Sequence, residues 1–223
     1  MKLLTLHNSK IKKGNSLGYL TGILHLVPNT ISGHNVCPKA TSGCIRSCLN
    51  TAGRGKFDTP QQKRLQRTLL LFEDRQQFVQ DLVVDIRSLI RRADKAGMIP
   101  CVRINGTSDL PWLAKEMADR FRGVQFYDYT KIISAVRNHR PDNYYLTFSK
   151  SENNWDECLE ALSLGVNVSV LFERIPKEYK GLPVINGDTN DLRFLDPSPC
   201  IVGLKPKGKA ITDTTGFVVR EPA

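Results

Sequence analysis

Three cysteines within twelve residues, Cys37, Cys44 and Cys48, are the side chains of this sequence best suited to chemistry. They are spaced C-x6-C-x3-C in HNVCPKATSGCIRSCLNTAGR, a polar stretch from His34 to Arg54. Cysteines that only pack sit alone in apolar segments. A short, turn-rich segment can instead aim several thiolates at one centre, and such soft donors select zinc or an iron–sulfur cluster. The alternative is a disulfide with a spare thiol, or three unrelated thiols. A structural zinc normally takes four protein ligands, which His34 would complete as Cys3His. Three cysteines alone suit a [4Fe-4S] cluster with one iron left open to a small molecule. Cys101, Cys158 and Cys200 fall at a strand start, on an apolar helix face and at the opening of the last strand, and read as structural.

A second set of residues follows the predicted strands, where parallel α/β folds bind ligands. Arg103 and Asn105 alternate with Val102 and Ile104, so they point to the opposite face, a barrel interior. A plain core would not hold them without a ligand or a partner such as Asp109, Asp128 or Asp188. Arg103, Lys131, Lys205 and Lys207 would hold anionic groups. Asp109, Asp128, Asp188 and Asp191 would orient hydroxyls or move protons. Asn105, Ser108, Ser149 and Asn186 complete the ligand-binding set. GDTND, around Asp188 and Asp191, is also ordinary turn chemistry, and KPKGK is also an ordinary solvated basic run. His25, in the first apolar run, reads as a satisfied core histidine.

The elements that must position these residues alternate. Strands are predicted at 19–27, 99–105, 124–127, 144–148, 166–172, 183–185 and 200–204. Thr59-Pro60 starts a helix with Leu65, Leu69 and Phe72 on its face. A second helix carries Phe78, Leu82, Ile86, Leu89, Ile90 and Ala93 and ends at Gly97. Further helices run over 111–121, 131–137 and 155–164, the last with Trp155, Cys158, Leu159 and Leu162 facing one way. This order predicts right-handed crossovers and a parallel sheet. The fold expected is α/β, a partial or irregular (β/α) barrel of about seven mostly parallel strands in one domain over 1–223, with a doubly wound sheet as the alternative. The first 18 residues read as a lead-in with a short strand, and 210–223 as a segment packed through Phe217 and Val218.

The 223 residues suit one domain with a full core. No apolar run approaches the roughly 20 residues of a membrane helix. The opening MKLLTLHNSKIKKGN has no apolar core or cleavage site of a signal peptide, so a reducing cytoplasm is expected, which favours metal over disulfide. The net charge of +10 suits an anionic partner, either a small nucleotide-like ligand or nucleic acid.

CPKATSGCIRSCLNTAGRG, VRINGTSDLPW, FYDYTK, INGDTNDLRFLDP and VGLKPKGKA, in that order, resemble a family of bacteriophage-encoded proteins called gene-product-88-like. That resemblance spans nearly the whole chain and implies a phage origin and the host cytoplasm, without an activity. A looser resemblance runs to radical S-adenosylmethionine enzymes, which hold a three-cysteine [4Fe-4S] loop after the first strand of a partial barrel. It implies a cluster on Cys37, Cys44 and Cys48 and S-adenosylmethionine as a second cofactor. Their usual spacing is C-x3-C-x2-C, unlike the spacing here, and their glycine-rich methionine-contacting motif is not evident.

The function expected is that of an iron–sulfur protein, an enzyme acting on a small anionic or nucleotide-like ligand. The alternative is a non-catalytic phage accessory protein, stabilised by zinc or a cluster, that binds nucleic acid or a host protein through a basic surface. A nuclease or hydrolase using the aspartates with Mg²⁺ is a weaker third reading.

Overall fold

The structure is a computed structural model describing residues 1–7 and 9–220, without the side chains of Ser9, Lys10 and Arg54. The chain opens with β1 (Leu4–Thr5), α1 (Ser9–Asn15) and β2 (Tyr19–Leu24). The cysteine stretch follows and contains α2 (Ser42–Arg46). Two long helices come next, α3 (Asp58–Glu73) and α4 (Arg75–Ala96). Then strands and helices alternate: β3 (Ile99–Arg103), α5 (Pro111–Arg120), β4 (Gln125–Thr130), α6 (Ile133–Arg137), β5 (Tyr144–Ser149), α7 (Trp155–Ser163) and β6 (Val168–Phe172). The last strands are β7 (Glu178–Tyr179), β8 (Leu182–Asn186), β9 (Ile201–Leu204) and β10 (Val218–Val219).

All ten strands form one sheet in the order β1-β2-β3-β4-β5-β6-β9-β8-β7, with β10 beside β6. β2, β3, β4, β5, β6, β9 and β8 run parallel, while β1 and β7 are antiparallel edges. The expected seven strands are these parallel ones. The sheet is open from β1 to β7 and is not a closed barrel. β5 pairs with β6 only through Phe148↔Val168 and Ser149↔Ser169. Beyond that point β10 takes the place beside β6, at Val218↔Leu171 and Val219↔Phe172. Residues 221–223 of the predicted C-terminal segment lie outside the described residues.

The two sheet faces differ as the alternation in β3 and β4 dictates. Val102, Ile104, Phe126 and Leu146 join a core with α3, α4 and α5, and Phe148, Val168 and Val170 join one with α7. α4 follows its predicted stripe, burying Phe78, Leu82, Ile86, Leu89 and Ala93, and Gly97 caps it at φ 62°. Glycine adopts that left-handed conformation without a Cβ penalty.

α3 departs from expectation. Its N-cap is Phe57, Phe72 is exposed, and its buried residues are Arg64, Arg67, Thr68 and Leu71. The apolar period hid a polar inner face because Arg64 and Arg67 find partners inside: Arg64 meets Asn50, and Arg67 donates to the Lys2 carbonyl at 3.2 Å. Leu159 of α7 is likewise exposed rather than packed. α1 was not foreseen, since its SKIKKGN sequence carries one buried apolar residue, Ile11.

The opposite face carries Thr21, Cys101, Arg103 and Tyr127. It is covered by α1 and the β8–β9 connection rather than by long helices. Leu192 packs with Cys101 and Tyr127, and Phe194 meets the rings of Tyr19 and Tyr127 edge-on at 5.2 and 5.5 Å. Asp191 of this connection accepts from Arg103 Nη1 at 2.9 Å in a pair whose side chains are 4% and 9% exposed. Thus part of GDTND is a buried anchor and not a solvated turn.

Removing one partner of a buried ion pair leaves the other charge unmatched, at a cost of about 3–5 kcal/mol. Asp191→Ala should therefore lower stability by about that amount in urea unfolding. The double change Arg103→Met with Asp191→Leu should recover most of it. A loss no larger than that of an exposed surface substitution would show that the pair does not anchor the connection.

Candidate functional site

At the carboxyl ends of β3, β4, β5, β6 and β9 lies a cavity of about 200 Å³. Cys37, Cys44 and Cys48 form one side. Arg103, Asn105, Ser108, Asp109, Lys131 and Ser149 line the rest, together with Lys150, Ser169 and Tyr129. Leu49, Leu171, Leu204 and Phe217 add apolar wall.

The cysteine stretch is held by short-range contacts. Thr41 caps α2 by accepting from Cys44 N, and Glu152 accepts from Thr41 Oγ1 and, at 2.6 Å, from Gly43 N. Asn50, Gln61 and Arg64 tie the following turn to α3. Cys37 Sγ accepts from Asn29 N at 3.4 Å, and Cys48 Sγ accepts from Asn50 N at 3.5 Å. Burial pushes the Cys37 thiol up to about 12 and raises Cys48 as well. All six cysteines are free. Among the described residues, no three His, Cys, Asp or Glu side chains stand close enough together to hold a single metal ion. All three thiols of the loop border the one cavity.

His34 does not join them. Its ring stacks on Phe72 at 4.2 Å, with 4° between the planes. Cys101 is buried in the sheet against Thr21 Oγ1 at 3.0 Å, and Cys158 packs in the core, as their settings in sequence implied.

Arg103 reaches the cavity from below, 7% exposed, with its guanidinium 4.6 Å from the centre of the Tyr129 ring. Burial pulls its pKa down, and Asp191, Tyr129, Tyr127 and Asp128 together more than offset this, so it stays charged. Asn105 lies just past β3. Its backbone N–H and Nδ2 donate to Asp128 at 2.7 and 3.0 Å, and its Oδ1 accepts from Ser108 Oγ and Leu110 N. Asp128 therefore serves as the support beneath Asn105, buried with Tyr144 OH at 3.3 Å. Asp109 accepts from Lys131 N at 2.8 Å, and burial raises its pKa. Ser47 Oγ, Arg103 Nε, Asp109 Oδ1 and Tyr129 OH are buried around the cavity with no hydrogen-bond partner in the protein.

The remaining predicted ligand-binding residues lie outside the cavity wall. Asn186 forms the β8 turn by accepting from Asp188 N, and Asp188 pairs with Lys207 at 2.7 Å and accepts from Lys205 N. Sequence reading missed Ser169, Ser47 and the wall residue Phe217. Ser169 was visible as the one polar residue in VSVLF, on the cavity side of the alternation. Phe217 reaches the site only through the return of the chain at β10.

His25 also departs from the expected satisfied core residue: its Nδ1 is buried without a partner. Burial, and then the charges of Arg64, Arg103 and Arg67, lower its pKa to about 3. Its ring lies so close to Gly106 that a Cβ there would overlap it and the Leu24 carbonyl.

Fold and site together define an open, mostly parallel α/β protein with a three-thiol cavity at its strand ends. Residues 2–221 match the family Gene product 88, and the chain belongs to that bacteriophage gene-product family. No curated protein and no solved structure matches it. Among the described residues, no helix is long and apolar enough to cross a membrane.

Burial raises the Asp128 carboxyl to about 7, against an ordinary value near 4. A raised folded-state pKa gives stability that is full below the unfolded value and lost as pH rises through about 7. His25 acts oppositely, losing stability as pH falls from its unfolded value toward about 3. Asp128→Asn should remove the part of the stability gain seen between pH 8 and pH 5 that belongs to this group, measured as the difference between variant and parent unfolding curves. Parallel curves would show that Asp128 is ionised throughout.

Proposed function

We propose that Cys37, Cys44 and Cys48 hold a [4Fe-4S] cluster, and that the cavity beside it binds a small anionic or nucleotide-like ligand on which the protein acts as an enzyme. The observation that carries this is the meeting of three thiols from one loop with Arg103, Asp109 and Lys131 around one cavity. What supports the group is the chemistry of the donor set: three thiols from one loop border one cavity. With His34 stacked on Phe72, Cys3His zinc loses its nearest fourth ligand. When bound, the cluster would supply an open iron and one-electron chemistry.

The chain's own groups set what else can enter. Arg103 Nε and the Lys131 ammonium favour an anionic group, and the buried Arg103 is held in place by Asp191. Asp109 Oδ1 accepts a hydroxyl or amine hydrogen from the same ligand. Ser149 and Ser169, joined at 3.2 Å, give hydroxyls on the far side, and Phe217 and Leu49 limit water. S-adenosylmethionine and nucleotides meet these requirements. The host cytoplasm, being reducing, would keep the thiols available.

Anaerobically purified protein should contain about four irons and four sulfides and show a broad visible absorption, both lost in Cys44→Ala. Added S-adenosylmethionine or nucleotide should perturb that spectrum. One zinc without colour would replace the cluster by a structural metal site, and absence of any metal would leave the cavity as a purely polar pocket.

A further inference from the structure

Residues 37–57 and 204–212 contain seven Lys and Arg and no Asp or Glu, a large share of the chain's net charge of +10. The fold brings these two segments together. Gly208 packs on Thr51 and Ala52, and Lys209 N donates to Thr51 Oγ1 at 3.3 Å. Both segments border the cavity, which Cys37, Ala40, Ser47, Leu49 and Leu204 line. Their Lys39, Arg46, Lys56, Lys205, Lys207 and Lys209 are exposed. Of these only Lys207 is paired with a carboxylate, Asp188, among the described residues. Exposed apolar side chains stand between the charges: Ile45, Leu49 and Phe57 are 42%, 46% and 57% exposed.

We propose that this face binds a single strand of nucleic acid, laid across the mouth so that one nucleotide reaches the cavity. Lysines at every second position from 205 to 209 can follow a phosphate backbone, since phosphate contacts ask for charge and spacing only. Exposed apolar and aromatic side chains among cations are the surface on which unpaired bases pack. A cavity of about 200 Å³ admits one base or sugar, whereas a duplex would have to open first. The two segments carry no acidic residue of their own, and Arg103 and Lys131 continue their positive path into the cavity. The inference deepens the ligand proposed above but depends on the cavity and its rim, not on the cluster.

The test is anisotropy of labelled short single-stranded DNA and RNA between about 50 and 200 mM salt. Duplex DNA and polyglutamate serve as competitors. The parent should bind single strands at least tenfold more tightly than duplex. Arg46→Ser, Lys205→Ser and Lys209→Ser combined should lower the salt slope by about two, at roughly 0.7 per lost contact. Arg87→Ser with Arg91→Ser on α4 should leave it unchanged, and parent protein stripped of iron by a chelator should still bind. No binding at low salt, an equal loss in the α4 variant, or equal competition by polyglutamate would overturn the proposal. The last outcome would point to an acidic protein. Iron content is read separately, so a missing cluster and a missing strand interaction are told apart.

Discussion

The Arg103–Asp191 pair sets the terms for the rest of the molecule. A guanidinium placed on a sheet face between Cys101 and the strand end cannot remain there unmatched, because an isolated buried charge costs several kcal/mol. The β8–β9 connection supplies the carboxylate, and to do so it must cross the sheet and lay Leu192 and Phe194 over Cys101, Tyr19 and Tyr127. That crossing replaces a layer of long helices on this face. It also leaves Arg103 bordering the cavity, with Nε unpartnered by protein. One ion pair thus links a sheet covering to a ligand-facing charge.

Above this pair, the cavity brings together groups with opposed needs. The thiols are buried, and burial favours their neutral form. Arg103 and Lys131 favour anions in the same space, and Arg64 and Lys131 draw the Cys48 thiol toward thiolate. Asp109 is raised by burial although Lys131 N–H bonds it. A bound group carrying both metal and negative charge would satisfy thiols and cations together, whereas a purely apolar ligand would leave four buried polar atoms unmatched.

Much of this was readable before the structure. The alternation of strands and helices fixed the parallel sheet, and the rule that ligands gather at strand ends brought Arg103, Asn105, Ser108, Asp109, Lys131 and Ser149 to one cavity with the cysteines. What escaped was long-range pairing. Nothing local in INGDTND says that Asp191 turns inward to Arg103 while Asp188 stays outside with Lys207. Nor does the α3 period reveal that Arg64 and Arg67 face inward, since that depends on carbonyls and amides supplied by Lys2, Asn50 and Gly55. Phe217 could not be placed because its strand fills a gap created by the short β5–β6 pairing.

That late return has a consequence for biosynthesis. The cysteines emerge from the ribosome well before Phe217 and before the Gly216 carbonyl that accepts from Lys150. At roughly 5–20 residues per second, Cys48 precedes Phe217 by about 10 to 30 s. During that interval the other walls, from Arg103 to Leu204, are added in turn, and Phe217 completes them. The cavity is therefore completed only when the last strand docks beside β6.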